Sequence, residues 1–301
     1  MDVTSADRVV FPDDGITKGD VFSYYAKVAQ RMEPFLARRP LTVERYPKGL
    51  DGRGFMQKNA PEHYPADLIG RHLVSRGDGG VTTYPFIDSA EGIAFFANLG
   101  VVTFHVPPAT VDDMLHPDWI IWDLDPPEGR VELVRGAAHA LRELLEQFGI
   151  PTVVMTSGSK GYHLRTPLTQ AVGHDVASAV ARGTAALAAA THPELMTLAF
   201  RKADRGDRVF VDWLRNAPLS TSVVPWSLRA RTGAPVAVPL AWDEVSRIEP
   251  NQYGLRSIEE RLAINPWALL EPLDLTGPSE AVSGAVAKAG IELEPFDRFR
   301  S

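Results

Sequence analysis

Two hydrophobic rhythms alternate along the chain. In VFSYYAKVAQRMEPFLA, from Val21 onward, apolar residues recur every three to four positions, the spacing of a helix with one buried face. Thr17-Lys-Gly-Asp20 just before it has the form of a capping box, so this helix is predicted to begin near Thr17. Short β-like runs follow, LTVERYP, GFMQKN, HLVSR and VTTYPFI, punctuated by Gly and Asp. Asp88-Ser89 opens a second helix through EGIAFFANL, after which TFHV and DWIIWDLD read as strands. An amphipathic helix is predicted over roughly 130–148. PTVVMTSG and GYHLRTPL flank a tight Gly-rich turn, an Ala-rich helix spans about 174–191, and RVFVDW and STSVVPWSL read as two more strands. A last helix is predicted near 254–265. Strands outnumber helices and fall into two clusters, which predicts an α+β fold rather than a regular βαβ alternation.

Composition narrows the class. The 301 residues allow two domains or one large unit, and 45% hydrophobic with 23% charged residues is ordinary for a globular protein. No apolar run approaches 18 residues, so a membrane span is excluded. The opening MDVTSADR has neither the basic start nor the apolar core of a signal peptide, which predicts a cytoplasmic protein. The absence of cysteine removes disulfides, thiolate zinc sites, iron–sulfur clusters and thiol nucleophiles.

A net charge of −7 runs against nucleic acid until its distribution is read. Arg201 to Arg231 holds seven Lys/Arg against three Asp, whereas Asp243 to the end holds six basic and eleven acidic residues. Such asymmetry permits a polyanion-binding face on an acidic chain.

The sharpest chemical signal is WIIWDLDPP. On a strand, Asp123 and Asp125 face the same side, at the end of an apolar segment that Pro126 stops. Adjacent like charges there are costly unless a cation neutralises them, and hard oxygen ligands suit Mg²⁺ or Mn²⁺. The bland alternative is a solvated strand end before a Pro-Pro turn. Asp212, in RVFVDW, ends a second apolar run and would complete a two-metal site of the kind that performs phosphoryl transfer. In Thr156-Ser-Gly-Ser-Lys-Gly-Tyr-His163, small residues can turn backbone N–H groups toward one anion, with Ser157, Lys160 and His163 adding donors. A plain hairpin turn has the same look. His105 in TFHV reads by itself as a packed core histidine. Arg229 follows an apolar strand and could enter the site. Two other motifs are set aside: Lys48-Gly-Leu-Asp-Gly-Arg53 has one residue too many for the ligase nucleophile pattern KxDGxR, and Pro126 stands where dehalogenase-type phosphatases carry a small or hydroxyl residue.

Taken in order, DLDP, SGSKGxHL and VFVDW resemble the archaeo-eukaryotic primase superfamily. More closely, the chain is similar to the polymerase domain of bacterial non-homologous end-joining ligase D in stand-alone form. FPxxGxTK ending at Lys18, TTYPxIDSxxG, FHVP and PWSLRAR add to the resemblance, which covers roughly residues 5–265. It implies a primase-polymerase fold: a catalytic antiparallel or mixed sheet flanked by helices over about 116–265, a β-rich N-terminal part over about 1–115, and an acidic, Pro-containing tail over 266–301. The implied activity is template-directed addition of NTPs or dNTPs, with ribonucleotides preferred, to DNA primers during gap filling or break joining. Asp123, Asp125 and Asp212 would hold the metals. His105, Ser157, Lys160, His163 and Arg229 would contact the nucleotide, Phe55 would stack near its base, and Lys18 with Arg8 would bind a 5′-phosphate. The implied partners are gapped or broken DNA, a separately encoded DNA ligase and the Ku end-binding protein, with the protein on the nucleoid when bound to DNA. A metal-dependent phosphohydrolase and a non-catalytic DNA-end-binding module are the rival expectations. Glu44, Met56 and Arg215 depart from the pattern, standing where a basic residue, a second aromatic and Gln are expected.

Overall fold

A computed structural model describes residues 2–267 and 270–293. In chain order the elements are β1 (Val9–Phe11), β2 (Ile16–Thr17), α1 (Lys18–Leu36), β3 (Thr42–Arg45), β4 (Phe55–Gln57), β5 (Gly70–Ser75), β6 (Val81–Phe86), α2 (Ala90–Asn98), β7 (Val101–Val106) and β8 (Trp119–Asp125). They continue with α3 (Val131–Gln147), β9 (Val153–Thr156), β10 (Tyr162–Pro167), α4 (His174–Thr191), β11 (Met196–Thr197), α5 (Lys202–Arg205), β12 (Val209–Asp212), β13 (Ser222–Val223), β14 (Pro239–Leu240) and α6 (Thr276–Lys288). The fold is α+β.

The capping box forms as its sequence predicts. The Thr17 hydroxyl accepts from the Asp20 N–H at 3.2 Å, and the Asp20 carboxylate accepts from the Thr17 N–H at 2.8 Å. These satisfy donors that the first helical turn leaves unpaired.

Two sheets face each other. One has the order β11-β12-β8-β10-β9-β14 and is antiparallel except for the β11–β12 pair; the other has the order β13-β7-β3-β4. Strand alternation divides the labour of the first sheet. Ile120, Trp122 and Leu124 of β8 point to the back and are fully buried. There the Trp122 indole N–H donates to the Thr184 hydroxyl of α4 at 3.0 Å. In the second sheet, Phe104 packs edge-on against Tyr25 of α1 and Phe96 of α2. Each sheet thus has one helix-covered face, and the other two faces enclose a cleft. Across its floor Met155, Val223 and Ala237 form a small apolar cluster. Because β13 pairs with β7, the chain returns from the larger sheet to build the smaller one.

Three local expectations change. STSVVPWSL contributes only Ser222–Val223, because Pro225 has no N–H to donate and Trp226 adopts a left-handed φ of 71°. The helix predicted near 254–265 reduces to a 3₁₀ turn over Ile258–Arg261. Within the segment read as a tail, α6 packs on α4, where Gly183 lies so near Val282 that a Cβ would sit 2.8 Å from it. Among the described residues no helix is long and apolar enough to cross a membrane.

Candidate active site

The cleft face of the larger sheet carries its polar chemistry in one row. Register places Asp212 of β12 opposite Asp123 of β8, and Asp123 opposite His163 of β10. Directly opposed residues share a face, so three strands deliver Asp212, Asp123 and His163 side by side. Asp125 lies two residues further along β8, about 7 Å away by strand rise, on the same face. Asp123 and Asp212 are both buried. The His163 Nε2 lies 3.2 Å from Asp123 Oδ1, and the Leu214 N–H donates to Asp212 Oδ1 at 3.0 Å. Arg215, in the turn after β12, reaches both carboxylates. Its Nε donates to Asp123 Oδ2 at 3.1 Å, its Nη2 lies 2.9 Å from Asp212 Oδ2, and its Nη1 donates to the Thr221 carbonyl at 3.2 Å.

Electrostatics separate the three acids. Burial alone would raise the Asp123 carboxyl, but His163, Arg215 and Arg229 together hold it well below the usual carboxylate range. Asp125 is raised by burial and by the neighbouring Asp123 charge. Asp212 is pushed up to about 6, mainly by burial, with Arg215 opposing and Asp123 adding to the rise. A set of hard oxygen donors that repel one another on a shared face fits a divalent cation chemically.

The Gly-rich turn between β9 and β10 stands beside this row. The Ser157 hydroxyl accepts from the N–H groups of Ser159 and Gly161, both at 3.2 Å, and Lys160 Nζ donates to the Pro126 carbonyl at 3.0 Å. Gly161 is required by close approach, since a Cβ there would sit 1.8 Å from the Leu124 carbonyl oxygen. Arg229 arrives from the chain between β13 and β14 and donates to the Ser157 carbonyl at 2.9 Å. The opposing sheet contributes His105, paired with Thr42 and Val223. Its imidazole is pushed down to about 3, first by burial and then by Arg229 and Arg215, so it is neutral at pH 7. Its Nδ1, the His163 Nδ1 and the Thr42 and Thr103 hydroxyls are buried without a hydrogen-bond partner. Beside Asp125 a cavity of about 220 Å³ is lined by Lys160, Lys202, Arg205 and Arg208.

Two of the sequence-selected residues, Phe55 and Lys18, lie differently from what their expected roles suggest. Phe55 pairs with Arg45, on the sheet face opposite the cleft, and its ring lies 5.5 Å from that guanidinium. The next residue, Met56, pairs with Glu44 on the cleft face and is half exposed. Lys18 is almost fully buried, and its ammonium donates to the Thr4 hydroxyl and Asn98 Oδ1, both at 2.8 Å, and to the Thr4 carbonyl. Burial, and after it the nearby charge of Arg8, lowers the Lys18 pKa, and the Arg8 Nε is itself buried without a partner. Thr4 and Asn98 carry no motif that would single them out in a sequence. Nor does the spacing of Arg215 announce that it spans two of the acids.

The family model for the LigD primase-polymerase domain matches residues 17–267. The chain belongs to that family. Its members are metal-dependent nucleotidyl transferases that act on DNA ends. Among curated relatives, the multifunctional non-homologous end joining DNA repair protein LigD of Mycobacterium tuberculosis is 37% identical over 287 residues, covering 92% of this chain and 37% of that protein. The bifunctional non-homologous end joining protein LigD of Bacillus subtilis is 30% identical over 265 residues, covering 87% of this chain and 42% of that protein. The chain therefore spans less than half the length of either relative. Among solved structures, the polymerase domain of M. tuberculosis ligase D in complex with DNA superimposes with a TM-score of 0.77 at 33% identity, covering 96% of this chain and 95% of that one.

Proposed function

We propose that the chain is a template-directed polymerase that adds NTPs or dNTPs to DNA primer ends, in gap filling or double-strand break joining. The observation that carries this is the convergence of Asp123, Asp125 and Asp212 on one cleft face beside Lys160, His163 and Arg229. The three carboxylates would hold two Mn²⁺ or Mg²⁺ ions, which stabilise the attacking and leaving oxygens of a phosphoryl transfer.

The chain's own residues do the rest. Lys160, Arg229 and the Ser157 turn present cationic and N–H donors to the triphosphate. His163 orients Asp123 through its Nε2 and keeps its other nitrogen free. Neutral His105, with an unpartnered Nδ1, can meet the sugar or a phosphate as a hydrogen-bonding group rather than as a charge. The basic cavity beside Asp125 offers pyrophosphate a route out. Base stacking by Phe55 has the least support, since alternation along β4 presents Met56 to the cleft instead. Lys18 and Arg8 would take a 5′-phosphate once Thr4 and Asn98 yield their hydrogen bonds, with the unpartnered Arg8 Nε ready for an anion. The partners we assign are DNA, a DNA ligase activity and Ku, in the cytoplasm on the nucleoid.

Incubating the protein with labelled primer–template, NTP and Mn²⁺ tests the reading. Primer extension is the expected result. Phosphate release without extension would identify a phosphohydrolase, and a gel shift alone a DNA-end-binding module.

A further inference from the structure

We infer that Arg215 is a built-in counter-ion for Asp123 and Asp212, which a divalent cation must displace in order to bind. The inference rests on the metal-site reading above and concerns how that site is kept before metal arrives. All three faces of the guanidinium fork are engaged: Asp123 Oδ2 at 3.1 Å, Asp212 Oδ2 at 2.9 Å and the Thr221 carbonyl at 3.2 Å. The planar fork therefore lies between two carboxylates that face each other across β8 and β12. As these side chains stand, no group of three His, Asp or Glu donors among the described residues encloses an ion. Asp125 completes the asymmetry, because among the described residues it accepts no hydrogen bond and forms no ion pair. The cation position is thus filled at one end of the acidic row and open at the other.

Guanidinium does not lose its proton in proteins, so metal entry cannot neutralise Arg215 and must move it. The side chain has somewhere to go. A third of it is accessible, against about a tenth of each carboxylate, so it can swing into the cleft while the acids stay in place. Competition of this kind weakens the apparent metal affinity by the fraction of molecules in which the site is clear. It also keeps two buried carboxylates from repelling each other in the metal-free protein.

The test measures Mn²⁺ binding by the electron paramagnetic resonance of the free ion, with thermal melts, on wild type, Arg215→Gln and Asp123→Asn. Arg215→Gln should melt lower without metal yet bind Mn²⁺ at least about tenfold more tightly, the gain expected if the clear state is about one molecule in ten. A merely structural arginine would lower both quantities, so the opposed signs are diagnostic. Equal or weaker Mn²⁺ binding by Arg215→Gln, with binding lost in Asp123→Asn, overturns the counter-ion and leaves the metal site standing. Absence of Mn²⁺ binding in all three proteins, or binding that survives Asp123→Asn, overturns both. Should Arg215→Gln fail to fold, the wild type answers alone: the Arg215 Nε–H resonance must shift on Mg²⁺ saturation, and an unmoved resonance refutes displacement.

Discussion

At the scale of single residues, the three acids are chemically unequal although the sequence writes them alike. Asp125 makes no hydrogen bond among the described residues and is raised by its neighbour's charge, whereas Asp123 accepts from His163 or Arg215 at each oxygen. Asp125→Ala should therefore abolish nucleotide addition while holding or raising the melting temperature, because it removes repulsion and breaks no bond. Asp123→Ala should abolish addition and lower the melting temperature, since it removes one of the two carboxylates that pair with Arg215 and the one beside His163 Nε2. Primer extension and thermal melts on both variants check this, and equal melting shifts would contradict it. Gly161 is as constrained as any acid. Gly161→Ala sets a methyl 1.8 Å from the Leu124 carbonyl, so β10 must shift against β8. The overpacking cost is about 1–3 kcal/mol in urea denaturation, and unchanged stability would show that the turn yields freely.

At the scale of elements, the outer edge of the larger sheet depends on a buried ion pair. Arg261, in the 3₁₀ turn at 258–261, donates to both oxygens of Glu244 at 2.6 and 3.0 Å and to the carbonyl of Pro239 in β14 at 3.0 Å. Burial works to raise the Glu244 carboxyl, but Arg261 and the Ala241 N–H outweigh it and bring it below its ordinary value of 4.5. A carboxylate lowered in the folded state adds stability above its unfolded pKa, and that stability fades as pH falls through the folded value. Glu244→Gln should thus melt below wild type at pH 7, and the gap should close progressively below about pH 4.5. A gap that stays constant down to pH 3 would rule out the ion pair as its source. Glu244→Ala, which leaves Arg261 buried and unpaired, should cost about 3–5 kcal/mol.

At the scale of the whole molecule, the proposed 5′-phosphate site joins regions far apart in sequence. The predicted 5′-phosphate contact uses Lys18 at the start of α1 and Arg8 ten residues earlier, and Asn98 at the end of α2 now occupies the Lys18 ammonium. A terminal phosphate carries about one more negative charge than an internal one, which suits exchange of neutral Thr4 and Asn98 partners for an anion. Lys18→Ala should weaken binding to gaps with a 5′-phosphate by about ten- to a hundredfold and barely affect 5′-hydroxyl gaps. Fluorescence anisotropy on the two substrates decides it, and equal losses would reduce Lys18 to general positive charge or to its burial role.

What the sequence determined by itself is local or periodic. Alternation in WIIWDLD told that Asp123 and Asp125 share a face, and the Thr17–Asp20 capping box placed the start of α1, because both depend only on neighbours along the chain. The order of motifs pointed to the family that the match over residues 17–267 bears out. Only the tertiary structure decided what meets across strands and between sheets. It set Asp212 beside Asp123, laid Arg215 over both, turned Phe55 from the cleft and gave Lys18 to Thr4 and Asn98. These contacts depend on strand register and on how distant segments pack, and a shift of one residue in register would send each strand side chain to the opposite face.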